Sequence, residues 1–128
     1  MRKLVVGILI AAGLGLFGPR AMAGPWEDGM ASYNRGDYVP AVQVFRGMAA
    51  AGNTKAQAML GAMYQRGQGV KKSSAHAFMW LSVAASRGDA QAKAELKTVS
   101  ATMTTEDLSQ ARAMMQACEA SDYRNCAY

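Results

Sequence analysis

Between Ser74 and Arg87 the chain reads SAHAFMWLSVAASR. Ala77, Trp80, Leu81, Ala84 and Ala85 recur at i, i+3, i+4, i+7 and i+8, which is one face of an α-helix. Met79, Val83 and His76 point the other way and Phe78 sits on the flank, so only a wedge around Ala75, Ser82 and Ser86 stays small or polar. A helix apolar on nearly every side is covered from more than one direction. This stretch is therefore expected to form the inner layer of a small helical stack.

The same rhythm recurs on both sides of it. Trp26 to Arg35 places Trp26, Met30 and Tyr33 on one face, and Tyr38 to Ala51 does so with Ala41, Val44, Phe45, Met48 and Ala49. Pro40 suits the first turn of that second helix, where its missing N–H is not needed. Thr54 to Arg66 carries Ala56, Met59, Leu60, Met63 and Tyr64 on its face, Ala90 to Ser100 carries Ala92, Leu96 and Val99, and Thr105 to Glu119 closes the series. Gly61 lies inside a helix at a cost of about 1 kcal/mol relative to alanine, which predicts a neighbouring helix passing close by. No Val/Ile/Thr-rich alternating segment bounded by turns is present, so a sheet is not expected. The fold class is all-α, with about six helices.

The helices are separated by a recurring punctuation: Arg35-Gly36-Asp37, Gly52-Asn53, Arg66-Gly67 and Arg87-Gly88-Asp89. Glycine is suited to the left-handed residue just past a helix end. The arginines bring a cation to the negative end of the helix dipole, and Asp37, Asn53 and Asp89 can cap the next helix. Thr104 can cap the last one, with Asp107 at the reciprocal position. Arg46-Gly47 lies inside an apolar pattern and is not such a mark. Ala41, Phe45 and Gly52 return as Ala77, Leu81 and Gly88, and Gly52, Ala56 and Leu60 return as Gly88, Ala92 and Leu96, at a constant offset of 36. A period in the mid-thirties with two helices per unit predicts a short α-solenoid of antiparallel helix pairs.

AQAMLGAMYQRGQGV followed by AHAFMWLSVAASRGDAQA resembles the Sel-one-like repeat, a relative of the tetratricopeptide repeat. The resemblance rests on Ala56, Leu60, Gly61, Tyr64, Gly67, Gly69, Val70, Ala77, Trp80, Ala84, Ala85, Gly88 and Ala92, which match A-x-x-x-L-G-x-x-Y-x-x-G-x-G-V and A-x-x-W-x-x-x-A-A-x-x-G-x-x-x-A. The first unit, YNRGDYVPAVQVF, looks more like an ordinary tetratricopeptide turn, and the tail resembles the helix that closes such arrays. Ser73 departs from the family, which usually has an acidic residue before the second helix. The resemblance implies stacked helix pairs that hold other proteins; short exported bacterial members are usually taken as envelope adaptors. It implies no cofactor.

The first residues read as an address. Arg2 and Lys3 precede an uncharged run from Leu4 to Phe17, and Ala21-Met22-Ala23 offers a cleavage site before Gly24, the layout of a secretory signal peptide. An apolar core of about 14 residues is short for a membrane span of about 30 Å. The expected organisation is thus a leader over 1–23, a helical repeat domain over 24–120 and a tail over 121–128, with periplasmic or secreted localisation and no integral span after cleavage. An uncleaved, membrane-tethered adaptor is the alternative.

Removing Arg2, Lys3 and Arg20 with the leader takes the chain's 14 Lys+Arg to 11 against 9 Asp+Glu. The remaining cations are scattered, which gives no warrant for nucleic-acid or anionic-membrane binding. His76 is the single histidine, and a packing or solvated role is expected of it. Cys118 and Cys126 are eight apart, about 12 Å along a straight helix, so pairing them requires the last helix to end near Glu119 and the chain to fold back through Ser121-Asp122-Tyr123. Glu27-Asp28 and Glu106-Asp107 lie in first turns, where the helix dipole explains them. Gly67-x-Gly69 is not a phosphate loop, although Lys71-Lys72-Ser73 follow closely. Ten methionines invite a reading as copper ligands or an adaptable binding groove, but Met48, Met59, Met63 and Met79 sit at helical spacing and are expected to fill the core, with Met114 and Met115 alike.

These features point to a non-enzymatic protein-binding module whose concave side is lined by the first helix of each pair. Asn34, Gln57, Gln65 and Lys93 are its candidate contact residues, and a short array can also pair with itself. The alternative is an envelope hydrolase acting on peptidoglycan or a β-lactam, as discussed for cysteine-rich relatives, but this chain offers no nucleophile–base set for it.

Overall fold

The computed structural model describes residues 24–126; the expected leader lies outside them. Its helices are α1 (Pro25–Asn34), α2 (Tyr38–Ala50), α3 (Thr54–Arg66), α4 (Ser74–Ser86), α5 (Ala90–Ser100) and α6 (Thr105–Ala120). Among the described residues there is no strand. The expected bounds of α3 and α5 hold to the residue, and the others shift by one position.

The punctuation works as a set of helix stops. Gly36, Gly52, Gly67 and Gly88 all take positive φ, and the residue after each sends its N–H back five positions: Asp37 to Ser32, Asn53 to Met48, Gln68 to Met63 and Asp89 to Ala84, at 2.9–3.1 Å. This bond satisfies a carbonyl that the helix leaves without a partner. The next helix then starts on the same residue in two cases. Asn53 accepts the Ala56 N–H at 2.9 Å and Asp89 accepts the Ala92 N–H at 2.7 Å. Thr104 and Asp107 form the reciprocal capping box of α6.

Asp37 does not cap α2, contrary to expectation. Its carboxylate turns instead to the Arg35 Nε at 3.2 Å, an ion pair exposed on both sides. Ser73 takes up the capping role at α4, accepting the His76 N–H at 3.2 Å. The residue that departs from the repeat pattern thus replaces one kind of cap with another.

The core is built around α4, which packs against α3, α5 and α6. Every residue from Ala77 to Ala85 is buried, and Trp80, Met79, Leu81 and Val83 are almost wholly enclosed. Each such large apolar side chain contributes about 1.5–3 kcal/mol by leaving water. The repeat is visible in three dimensions, since Ala41 and Ala77, Phe45 and Leu81, Ala49 and Ala85, and Ala56 and Ala92 are all buried at matching positions. Val42, which the spacing did not assign to the core, is buried as well, because α2 is covered by both α1 and α3.

Helix α3 meets α4 at Gly61. A Cβ there would lie 2.6 Å from Leu81 Cγ and 3.1 Å from the Leu81 backbone nitrogen, closer than atoms pack. Gly29 does the same for α1, where a Cβ would come within 2.7 Å of the Phe45 ring. Glycine's cost in helix propensity is thereby exchanged for close helix contact.

At the other end α6 stops at Ala120, and Asp122 and Tyr123, both at positive φ, turn the chain back. Tyr123 N–H donates to the Cys118 carbonyl at 3.0 Å. The reversal brings Cys126 to Cys118, with Cα atoms 4.2 Å apart, and the two are joined in a buried disulfide.

Three stability outcomes follow. Gly61→Ala gains about 1 kcal/mol of helix propensity but loses about 1–3 kcal/mol to overpacking, so its urea midpoint falls. Gly47→Ala meets nothing within 4 Å and raises the midpoint. Reducing the disulfide, or replacing both cysteines by serine, removes about 2–3 kcal/mol, read as a lower thermal midpoint with the helical circular dichroism signature retained at 20 °C.

Candidate protein-binding groove

One side of the stack is formed by the first helix of each pair. Trp26 and Tyr33 from α1, Lys55, Ala58, Met59, Ala62 and Arg66 from α3, and Gln91, Ala92 and Glu95 from α5 line a groove of about 480 Å³, with Leu81 also at its wall and Asp89 at its edge. On α3 the groove residues fall at 55, 58, 59, 62 and 66, a helical stripe adjacent to the inward stripe of Gln57, Leu60, Gly61 and Tyr64. Alanines at 58 and 62 keep the surface low, so the groove has depth there.

Its walls are fixed from below. Trp26 packs on Phe45 with ring centroids 5.4 Å apart, and Tyr33 on Tyr38 at 5.2 Å. Tyr33 OH donates to Gln68 Oε1 at 3.0 Å and accepts from Arg66 Nη1 at 3.4 Å, which ties α1 to the α3–α4 loop. Lys55 and Arg66 face Asp89 and Glu95 across the groove, so the rim carries both signs. Asp89 is already a helix cap. Glu95 Oε1 accepts from Gln91 Nε2 at 3.0 Å, whereas its Oε2 is shielded from solvent and receives no hydrogen bond.

None of the four candidate contact residues lines this groove. Gln57 is fully buried; its Nε2 donates to the Ala49 carbonyl at 3.2 Å and its Oε1 accepts from Arg87 Nη1 at 3.5 Å. It fastens the end of α2 to the end of α4 and presents no face to a partner. Gln65 borders a second depression with Arg66, Lys72, Glu95 and Thr98. Asn34 and Lys93 are exposed beyond the groove edge. Hydrophobic spacing alone gives Met59 to the core, whereas it packs partly on the core and partly opens on the groove. The Lys55–Ala58–Met59–Ala62–Arg66 stripe was the available signal.

His76 stands apart from the groove. Its ring stacks on Tyr64 at 4.8 Å and its Nδ1 lies 2.8 Å from Ser73 Oγ. Burial, and then the positive charge of Arg46, hold its pKa below the ordinary histidine value. Among the described residues no group of His, Cys, Asp and Glu is placed to hold a metal ion. Nor is any helix among them long and apolar enough to cross a membrane.

Residues 54–89, the span from α3 through α4 to the cap of α5, match the model of the Sel1 repeat. That span is a Sel1 repeat. All thirteen of the motif positions singled out in the sequence except Ala92 fall inside that span. Comparison with curated proteins and with solved structures found no match. Sel1 repeats generally mediate protein–protein interaction, and proteins built from them are typically non-enzymatic. The groove of this Sel1 repeat, with its neighbours α1 and α5, is therefore the surface on which a functional reading rests.

Because the fold depresses the His76 pKa, the unfolded chain binds the extra proton first. Stability from this group is present above its unfolded pKa of about 6.5 and is lost progressively as pH falls from there through the lower folded value. The thermal midpoint of the wild type is expected to drop between pH 7.5 and pH 5.5 more than that of His76→Asn; parallel curves would remove His76 from the account.

Proposed function

We propose that this protein is an adaptor of the bacterial cell envelope that holds a segment of a partner protein in the α1–α3–α5 groove. The observation that carries the reading is the groove itself. It has an apolar floor of Trp26, Ala58, Met59 and Ala62 and a rim of both charges. An apolar side chain of the partner would fill the space over Met59, and charged groups beside it would meet the mixed rim. Methionine suits such a floor, since its side chain adapts to the shape laid on it.

The envelope assignment is supported by the leader layout of residues 1–23 and by the Cys118–Cys126 disulfide, a bond that persists in oxidising compartments. Release of a leader after Ala23 would leave Gly24 as the first residue, directly before α1. No acid–base or nucleophilic set gathers in the groove, and the binding reading asks for none.

Site-specific photo-cross-linking in intact cells tests this. A photoreactive residue at Ala58 or Ala62 is expected to trap one discrete partner band, and the same residue at Gln43 or Ser109 is not. Met59→Asp should weaken that cross-link at least tenfold, and Lys55→Glu, at an exposed groove position, should weaken it severalfold while leaving the thermal midpoint near wild type. Equal trapping from both faces would defeat the assignment.

A further inference from the structure

A second cavity, sharing no lining residue with the groove, lies where the α3–α4 loop folds over α2. Arg46, Tyr64, Gly69, Val70, Lys71, Lys72, Ser73 and His76 line an open cavity of about 470 Å³, within the range of small-molecule sites. We infer that this cavity is a binding site for phosphate or a small phosphomonoester.

The charge comes from three elements. Arg46 projects from α2, Lys71 and Lys72 from the loop, and α4 begins at the same wall, with its N-cap Ser73 and its residue His76 in the lining, so its positive dipole end lies close by. None of the lining residues is acidic. The Tyr64 hydroxyl belongs to the same lining, while the Ser73 hydroxyl and the His76 ring are hydrogen-bonded to each other. Two lysines, a guanidinium and a helix N-terminus exceed what a single carboxylate needs and match a dianion; the planar guanidinium fork also fits phosphoryl oxygens.

The site is held in shape before anything binds. Gly69, at φ 70°, lies so close to α2 that a Cβ would come within 2.6 Å of the Tyr38 carbonyl carbon and oxygen. Ser73 N–H donates to the Tyr64 carbonyl at 3.0 Å, and Gln68 is anchored by Tyr33. Arg46 Nη2 donates to Tyr64 OH at 3.3 Å, which sets the guanidinium beside the Tyr64–His76 stack. That stack and Val70 give an apolar wall against which the organic part of a phosphomonoester can lie. The loop residues Lys71-Lys72-Ser73 thus gather around an anion site although their spacing is not that of a phosphate loop.

His76 reports on the site, and as the single histidine of the chain it gives one resolved imidazole signal. The groups facing it are Arg46 from α2, Tyr64 from α3, and Lys71, Lys72 and Ser73 from the loop. A bound dianion offsets the repulsion from Arg46 and makes protonation of the ring easier.

The test is a titration of the full chain with inorganic phosphate, glycerol 3-phosphate and acetate at constant ionic strength, followed by the His76 ring resonances. The expected result is a saturable shift with the two phosphates, a rise of the His76 pKa by about half a unit or more, and at least tenfold weaker binding in Arg46→Gln. Lys71→Gln, at an exposed position, is expected to weaken binding severalfold without a change in melting, so a misfolded Arg46 variant does not decide the matter. Tighter binding of glycerol 3-phosphate assigns the cavity to phosphomonoesters; equal binding assigns it to phosphate. A linear drift that chloride reproduces, acetate binding as tight as phosphate, or an unaltered Lys71→Gln titration overturns the proposal.

Discussion

The contact of Leu81 with the bare backbone at Gly61 is the constraint on which the stack depends. It lets α3 and α4 approach until the α4 backbone itself lies against α3, and only at that distance are Trp80, Met79 and Val83 enclosed completely. Cores are packed at near-crystalline density, so a gap of one methyl group across this seam is felt throughout it. Gly29 and Phe45 repeat the arrangement between α1 and α2, and the two seams together set the height of the groove above them. The depth that a partner segment would meet is a consequence of how closely the helices beneath are drawn.

Polar groups hold the same seams from the side. Gln57 is buried without loss because Ala49 and Arg87 satisfy both ends of its amide; a buried amide left without partners would cost roughly 1–3 kcal/mol. Arg87 also donates to the Gly52 carbonyl and lies over the Tyr123 ring at 5.1 Å. One guanidinium therefore joins the α2–α3 turn, the end of α4 and the tail after α6. This links sequence-distant helix ends that hydrophobic periodicity alone leaves unconnected.

Much of this was legible in the sequence. Helix bounds, the four glycine stops, two of the three proposed interhelix caps and the close approach at Gly61 followed from spacing and from the special conformational range of glycine. The Sel1 repeat over residues 54–89 followed from twelve of the thirteen motif positions. What could not be read was the direction in which polar residues on the first helices point. Gln57 and Gln65 are chemically alike and both lie on α3, yet one is enclosed and the other lines an open depression, because the helix turns Gln57 towards α2 and α4. Periodicity says which residues share a face; it does not say which of two adjacent faces a third helix will cover. Asp37 failed as a cap for a similar reason, since a nearby Arg35 competes for its carboxylate and the sequence carries no measure of that competition.

A repeat array must also end, and the two ends here are closed by different means. At the amino-terminal end Trp26 lies on Phe45, an aromatic lid over the first seam. At the other end α6 lies against α4, and the disulfide draws Tyr123 back over Arg87. The terminal repeats of a solenoid need such covers, because each unit otherwise leaves an apolar face for the next. Among the described residues Val39, at 58% exposure, is the large hydrophobic side chain left in water, so both seams are sealed. With its ends covered, the stack keeps its open apolar surface in the groove, where the first helices converge.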